Sequence, residues 1–303
     1  MIANYILLSL RNLLKQRGYA LVNIFGLAVG LGSVIYILLY VKDELTFDRM
    51  HPEAESLYRI GLALQAPNGD VNTGGYSPAG WDNYIQSNYE GIGAIASYIR
   101  RGMPTSIHYV PNDRIVLAED EDCFTWAEPS ITKVLSIPIV KGARINPLKE
   151  INSIILTESS ARDIFGDDDP IGEMLTVSNM FATNRQKVDL LVTAVMRDFP
   201  SNTHINPKYI ANIFALNPFN EDLQNRLNTF MGNGSNAFYS ESFFVCSDEG
   251  KIETIVADLQ KHANEISFGQ NTQFKFKPVV RKITDIHFDT QVSWAQRKSV
   301  DVK

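Results

Sequence analysis

Hydrophobic positions crowd the start of the chain and then thin into short, alternating runs. From Gly18 to Val41, GYALVNIFGLAVGLGSVIYILLYV, no charged side chain occurs, and thirteen of the residues Leu21 to Val41 are Leu, Ile, Val or Phe. A helix over Leu21–Val41 rises about 31 Å, close to the ~30 Å hydrocarbon layer of a bilayer. Its polar interruptions, Asn23 and Ser33, can satisfy themselves along the helix or against a neighbour. A buried core helix rarely runs so long without a charge. A cleavable signal peptide would have a shorter apolar core and an A-x-A-like site. The pattern therefore predicts a transmembrane helix over 19–42.

The flanks orient it. Arg11, Lys15 and Arg17 precede the span, and no acidic residue occurs in positions 1–42; Lys42, Asp43, Glu44 and Asp48 follow it. Positive charge is retained in the cytoplasm, so the N-terminus is expected inside and everything beyond Lys42 outside, in the periplasm. Over 1–18, a helical wheel groups Ile2, Ile6, Leu10 and Leu13, with Leu7 and Leu14 beside them; Asn4, Arg11 and Lys15 fall opposite, and Leu8 is a misfit. This reads as an interfacial amphipathic helix on the inner leaflet that Gly18 ends, the plainer alternative being an ordinary solvated helix start. Within the span, Gly26 and Gly30 form G-x-x-x-G, and Ala28 with Gly32 repeats the spacing. Small residues four apart offer a flat stripe for a second helix.

Beyond the span the alternation predicts an α+β domain. ESLYRIGLALQ (55–65), IGAIASYIRR (92–101) and ESFFVCS (241–247) alternate as strands, and PNGDVNTGG reads as a turn cluster. SPAGWDNYIQSNY (77–89) reads as a helix with Ser77 as N-cap and Pro78 at its first position. RIVLAEDEDCFTW, NSIILTESSARDIFG and VDLLVTAVMRDF supply strands around a helix that Thr157 caps, Glu158 favours and Gly166 stops. A long amphipathic helix over 248–266 presents Ile252, Ile255, Val256 and Leu259, and QFKFKPVVRKITDIHFD (273–289) alternates into a last strand.

Composition agrees with a folded domain behind an anchor: 45% hydrophobic, 20% charged, net charge −6. The length left after the span suits one large domain or two small ones. The acidic balance gives no electrostatic footprint for nucleic acid. Cys123 and Cys246 would occupy a compartment that permits disulfides, where a bridge and two buried thiols are both open readings.

Catalytic chemistry is hard to find. There is no P-loop, no G-x-S-x-G elbow and no H-E-x-x-H, and the histidines at 51, 108, 204, 262 and 287 have no i, i+4 pairing. In GDDDPIGE, Asp167, Asp169 and Gly172 match three positions of a calcium loop, but Ile171 and Ser178 occupy two ligand positions. A solvated turn is the better reading. No catalytic residue, metal ligand or cofactor site is assigned.

Several stretches, in order, carry a resemblance that covers almost the whole chain. LLSLRNLLKQRGYALVNIFGLAVGLG and YVKDELTFDRMHPEAESLYRI, then KVLSIPIVKG, NSIILTESSARDIFGDDDPIGEMLTV, LLVTAVMRDFPSNTHI and VRKITDIHFD, closely resemble MacB/FtsX-type ABC transporter permeases. The resemblance implies a MacB-like periplasmic core domain over 43–295. Its Porter-like subdomain would span about 43–110 and 211–295, its Sabre-like subdomain about 111–210, with a tail over 296–303. Family members carry three further spans, whereas no second apolar run follows here. The expectation is therefore a truncated permease, or one whose other spans lie on another polypeptide. The implied partners are an ABC ATPase subunit that hydrolyses ATP, a second permease copy, the lipid bilayer and a periplasmic protein. The implied role is an inner-membrane permease subunit whose periplasmic domain binds substrate or partner and couples to ATP-driven motion. YVKDELTFD joins helix to domain without a Gly/Pro linker, so displacement can be passed on. The alternative is a single-pass anchored binding or sensor module acting without an ATPase.

Overall fold

The computed structural model describes residues 11, 15–78, 80–100, 105–118, 124–179, 186–219, 239–263, 275–288 and 292–294. Two compact units divide the chain, Met1–Phe47 and Asp48–Lys303.

The first unit is dominated by one helix, α1 (Arg17–Leu45). At 29 residues it rises about 43 Å. Large apolar side chains are exposed all round it, Leu21, Phe25, Ile35 and Leu39 among them. Among the described residues only Ala20 of this helix is buried, and the helix is long and apolar enough to cross a membrane. Ser33 Oγ donates to the Val29 carbonyl at 2.8 Å, so this polar interruption is satisfied along the helix. Gly18 does not end a preceding helix, as the wheel suggested: the break is at Gln16, the non-helical N-cap, and Gly18 lies inside α1. In the first turn the N–H groups lack intrahelical partners anyway, so glycine costs little there and the apolar run carries the helix through it. The rest of the expected interfacial helix, apart from helical Arg11 and Lys15, lies outside the described residues. At the far end Thr46 closes the helix, its N–H and Oγ1 both donating to the Lys42 carbonyl, at 3.1 and 2.9 Å.

The second unit is a mixed sheet with helices on its faces. Strand β1 (Leu57–Gln65) has one edge covered throughout by β14 (Lys275–Lys282). Two strands share the other edge: β13 (Tyr239–Cys246) pairs with Leu57–Ile60, and β2 (Val71–Gly74) with Leu62–Gln65. Gly61 sits at the changeover, where a Cβ would lie 2.4 Å from the Gly74 carbonyl oxygen. Only a residue without a side chain lets the backbones approach so closely. β13 continues the sheet to β4 (Ile92–Arg100) and also pairs with the short β3 (Ser77–Pro78); β15 (Val292–Trp294) lies parallel to β2.

Two expectations change here. Val71–Gly74, read as part of a turn, is a strand, and the hairpin turn before it is held by Ala66 N–H donating to the Asp70 carbonyl at 2.8 Å and by Gly69 N–H donating to that of Ala66 at 2.9 Å. Ser77 and Pro78 do not start a helix: they pair with Ser240 and Tyr239, and the helix α2 (Trp81–Asn88) begins after Gly80. The Ser77 hydroxyl lies 3.0 Å from Ser242 Oγ, so the sheet uses the group that a cap would need. Gly80, at φ 93°, turns the chain in the left-handed region that glycine occupies cheaply.

Strand β4 also pairs with β7 (Phe124–Ala127), which opens the second half of the sheet. There β7, β12 (Tyr209–Asn212), β9 (Ser153–Thr157), β11 (Gln186–Met196), β10 (Met174–Asn179), β5 (Thr105–Tyr109) and β6 (Arg114–Ala118) follow side by side, with β8 (Ile139–Gly142) also on β11. Helix α4 (Glu158–Phe165) is capped as the sequence predicts: Thr157 Oγ1 accepts from Ser160 N–H at 3.2 Å, and Gly166 at φ 65° ends it. Helix α5 (Glu249–Ala263) buries Ile255, Leu259 and Ala263 beside Trp81 and Ile85 of α2 over the first half. Fully burying each such aliphatic side chain stabilises the fold by about 1.5–3 kcal/mol. A further core runs along the other face of both halves, where Tyr98, Ile155, Met196, Ile210 and Phe243 meet the short helices α3 (Ile131–Val134) and α6 (Ile283–Ile286).

Candidate functional site: a polar clasp at the start of the domain

Asp48 is the first residue of the second unit, and nothing of it is exposed. It sits at φ 56°, in the left-handed region where Asp is better tolerated than most side chains. Its carboxylate gathers a loop from the far side of the sequence. Thr203 Oγ1 donates to Asp48 Oδ1 at 2.7 Å and His204 N–H to the same oxygen at 2.8 Å. The second oxygen, Oδ2, takes His204 Nδ1 in a short contact, and Asp48 N–H donates to the Asn202 carbonyl at 2.9 Å. The Thr203–His204 loop joins β11 to β12, which sit at the centre of the sheet's second half. Thr203 Oγ1 in turn accepts Ile205 N–H at 3.2 Å, a local turn that aims the hydroxyl proton at Asp48.

Two more histidines close around this contact. His287, directly after α6, lies with its ring 5.5 Å from that of His204, and Phe288 meets His287 edge-on at 5.1 Å. His51 Nδ1 lies 2.8 Å from the Leu135 carbonyl, so that nitrogen carries the proton and donates it. His51 Nε2 is buried and has no hydrogen-bond partner among the described residues. Burial pushes the His51 pKa down, against the opposing pull of the Leu135 hydrogen bond and the Asp48 charge.

The arrangement is a fastener. Asp48, His51, Thr203, His204 and His287 are all buried, so no substrate reaches them. Among the described residues no group of three or more His, Cys, Asp or Glu side chains could hold a metal ion. What the cluster does is tie residues 48–51 to the β11–β12 loop and to the segment after α6.

The residues singled out in the sequence lie elsewhere. Gly26, Ala28, Gly30 and Gly32 all fall on α1 and are exposed, and a Cβ added at any of the three glycines would meet nothing of this chain within 4 Å. Arg11, Lys15 and Arg17 are exposed at its N-terminal side. Cys246 is a buried free thiol, while Cys123 lies outside the described residues. In the calcium-like stretch, Asp169 Oδ1 caps Ile171 N–H at 3.0 Å and pairs with Lys141 Nζ at 2.9 Å. Those contacts lower its pKa and make it a turn residue. His108 pairs with exposed Asp113 at 2.9 Å at the edge hairpin β5–β6, and the His262 side chain lies outside what is described.

The sequence model of the MacB-like periplasmic core domain matches residues 20–262. The chain belongs to this family. No curated protein sequence is significantly similar to it. Among solved structures, a domain of a candidate permease from Porphyromonas gingivalis superposes with TM-score 0.57 at 14% identity, over 77% of this chain and 91% of that one. The periplasmic region of MacB from Actinobacillus actinomycetemcomitans gives TM-score 0.47 at 12% identity, over 80% and 95%. The extracellular domain of the noncanonic ABC-type transporter YknZ from Gram-positive bacteria gives 0.44 at 12%, over 72% and 98%. The fold is thus that of the MacB-like family, and the clasp is a feature read from this chain itself. Sequence reasoning did not assign Asp48, Thr203 or His204 a role. Asp48 entered only among the charges after the span and in the stretch that joins helix to domain, Thr203 only in a stretch quoted for resemblance, and no spacing rule joins positions 155 residues apart.

Proposed function

We propose that the chain is an inner-membrane permease subunit of the MacB/FtsX type, with its N-terminus in the cytoplasm and the unit from Asp48 onward in the periplasm. That domain, divided into Porter-like and Sabre-like parts, engages a substrate or periplasmic partner and passes on motion driven by a separate ABC ATPase. A second permease copy packs through the Gly26, Ala28, Gly30 and Gly32 stripe. The observation that carries the reading is the clasp. Helix α1 ends at Leu45, and three positions later the chain is held by three buried hydrogen bonds on the Asp48 carboxylate. Displacement that arrives at Asp48 is taken up by the β11–β12 loop as well, where a flexible segment would absorb it.

Affinity-tagged full-length chain, solubilised from its own membrane, tests this. Co-purification of a P-loop ATPase is the expected result. Recovery of intact chain without any ATPase would refute the coupling and leave an anchored binding module.

A further inference from the structure

On the sheet face that carries α2 and α5, a second buried polar cluster joins four elements. Ser97 of β4 is at its centre. Ser97 N–H donates to Glu128 Oε2 at 2.8 Å, and Glu128 N–H returns a hydrogen bond to the Ser97 carbonyl at 2.9 Å. The Ser97 hydroxyl donates to Asp82 Oδ2 of α2 in a short contact. Ser242 Oγ of β13 is 2.8 Å from Ser97 Oγ, and Ser77 Oγ of β3 is 3.0 Å from Ser242 Oγ. A hydroxyl has one proton to give. With that of Ser97 committed to Asp82, Ser242 donates to Ser97, and Ser77 has its proton between Ser242 Oγ and the Ser240 carbonyl, 3.3 Å away. The chain of donors runs one way and ends on Asp82.

Asp82 is therefore an acceptor on both oxygens. Besides Ser97 it takes Asn83 N–H on Oδ1 at 2.9 Å. Glu128 on the Ser97 N–H and Asp82 on the Ser97 hydroxyl bring two carboxyls together on one residue. Burial raises the pKa of both, and two carboxyls so close do not both ionise cheaply; because the Asp82 charge acts on Glu128, Glu128 is the one that holds a proton. Asp82 and Ser97 are buried in full or nearly so. None of the influences on either carboxyl is a cation, and Glu241, the next acid along β13, faces the other side, where Tyr98 donates to it at 3.0 Å. Burial first, then the Asp82 charge, pushes the Glu128 pKa up to about 8.

We infer that Asp82 and Glu128 form a proton-held latch, in which a neutral Glu128 lets both carboxyls sit on Ser97 of β4, and loss of its proton sets two negative charges together and releases the first turn of α2. The sign follows from the raised value. Relative to an unfolded carboxyl near 4.5, the contribution is fully present below that pH and is lost as pH rises through about 8. The latch is independent of any ATPase and answers to the pH of the compartment that holds the domain.

Hydrogen exchange of the full-length chain in detergent reads the latch directly. Between about pH 7 and pH 9.5, amides of Trp81–Asn88 should exchange roughly tenfold faster than the intrinsic base-catalysed rise explains. Glu128→Gln is permanently neutral and should follow the intrinsic rise alone. Asp82→Asn removes the neighbouring charge but not the burial, so the excess should shrink. Matching profiles in wild type and Glu128→Gln would overturn the latch. The infrared band of a protonated carboxyl gives a check that needs no variant. It should be present in wild type near pH 7 and be lost by about pH 9.5, and its absence near pH 7 would overturn the assignment.

Discussion

Replacing Asp48 by Ala tests the clasp most severely. The change leaves the Thr203 hydroxyl, the His204 N–H and the His204 Nδ1–H without an acceptor, in a site where Asp48 and Thr203 have no exposed surface. Each unsatisfied buried donor costs about 1–3 kcal/mol. Alanine also fits the φ of 56° less well than Asp, which adds about 1 kcal/mol. Because the loop can relax, the whole loss should be about 3–6 kcal/mol, a large part of a typical domain's stability. Asp48→Asn separates geometry from charge. Its amide oxygen still accepts from Thr203 and His204 N–H, while its NH2 needs His204 to present a bare Nδ1, which the other neutral tautomer supplies. That variant should lose only about 1–2 kcal/mol, and Thr203→Val about 1 kcal/mol. Urea unfolding of the full-length chain in detergent, followed by tryptophan fluorescence, measures all three, since the buried indoles Trp81 and Trp126 both lie in the domain. An Asp48→Ala midpoint within about 1 kcal/mol of wild type would refute the reasoning, as would Asn proving as damaging as Ala.

Other outcomes follow from single contacts. Gly61→Ala puts a Cβ 2.4 Å from the Gly74 carbonyl, an immobile backbone atom, and should destabilise by more than about 2 kcal/mol in the same unfolding assay. His51 has its pKa lowered by burial, so the unfolded chain binds more protons below about 6.5; stability should fall as pH drops through that range, and His51→Asn, which keeps a donor toward Leu135, should flatten the fall. Gly26→Leu or Gly30→Leu should weaken cross-linking to a neighbouring span without reducing membrane insertion; unchanged cross-linking in both would make the stripe ordinary glycine content.

What could be read from the sequence was what local rules govern. The apolar run of α1, the Thr157 cap with its Gly166 stop and the Ile255–Leu259 face of α5 each depend on neighbours within a few positions. Ser77–Pro78 shows where such rules fail. The cap reading was locally sound, but the hydroxyl belongs to Ser242, 165 positions away, and a sheet contact outranked a helix start. Val71–Gly74 was hidden by its Asn and Gly content: it is a strand because β1 offers Leu62–Gln65 an edge to pair with. The clasp was invisible for the same reason, since its carboxylate and donors are joined only by the fold.

The pairing of β1 has a consequence for synthesis. Tyr58 faces Phe244 on one side and Lys282 on the other, so the first strand of the domain waits for nearly the last. At about 5–20 residues per second, the roughly 220 residues between Tyr58 and Lys282 take about 10–45 s to be made. Over that interval β2 can cover Leu62–Gln65, but Leu57–Ile60 remains an apolar strand with open edges. Such edges recruit other strands, so the nascent domain is most vulnerable to aggregation at its N-terminal end and gains most there from a holding chaperone. A chain cut before Lys275 would keep that exposure permanently, and damage at the last strand would be felt at the first.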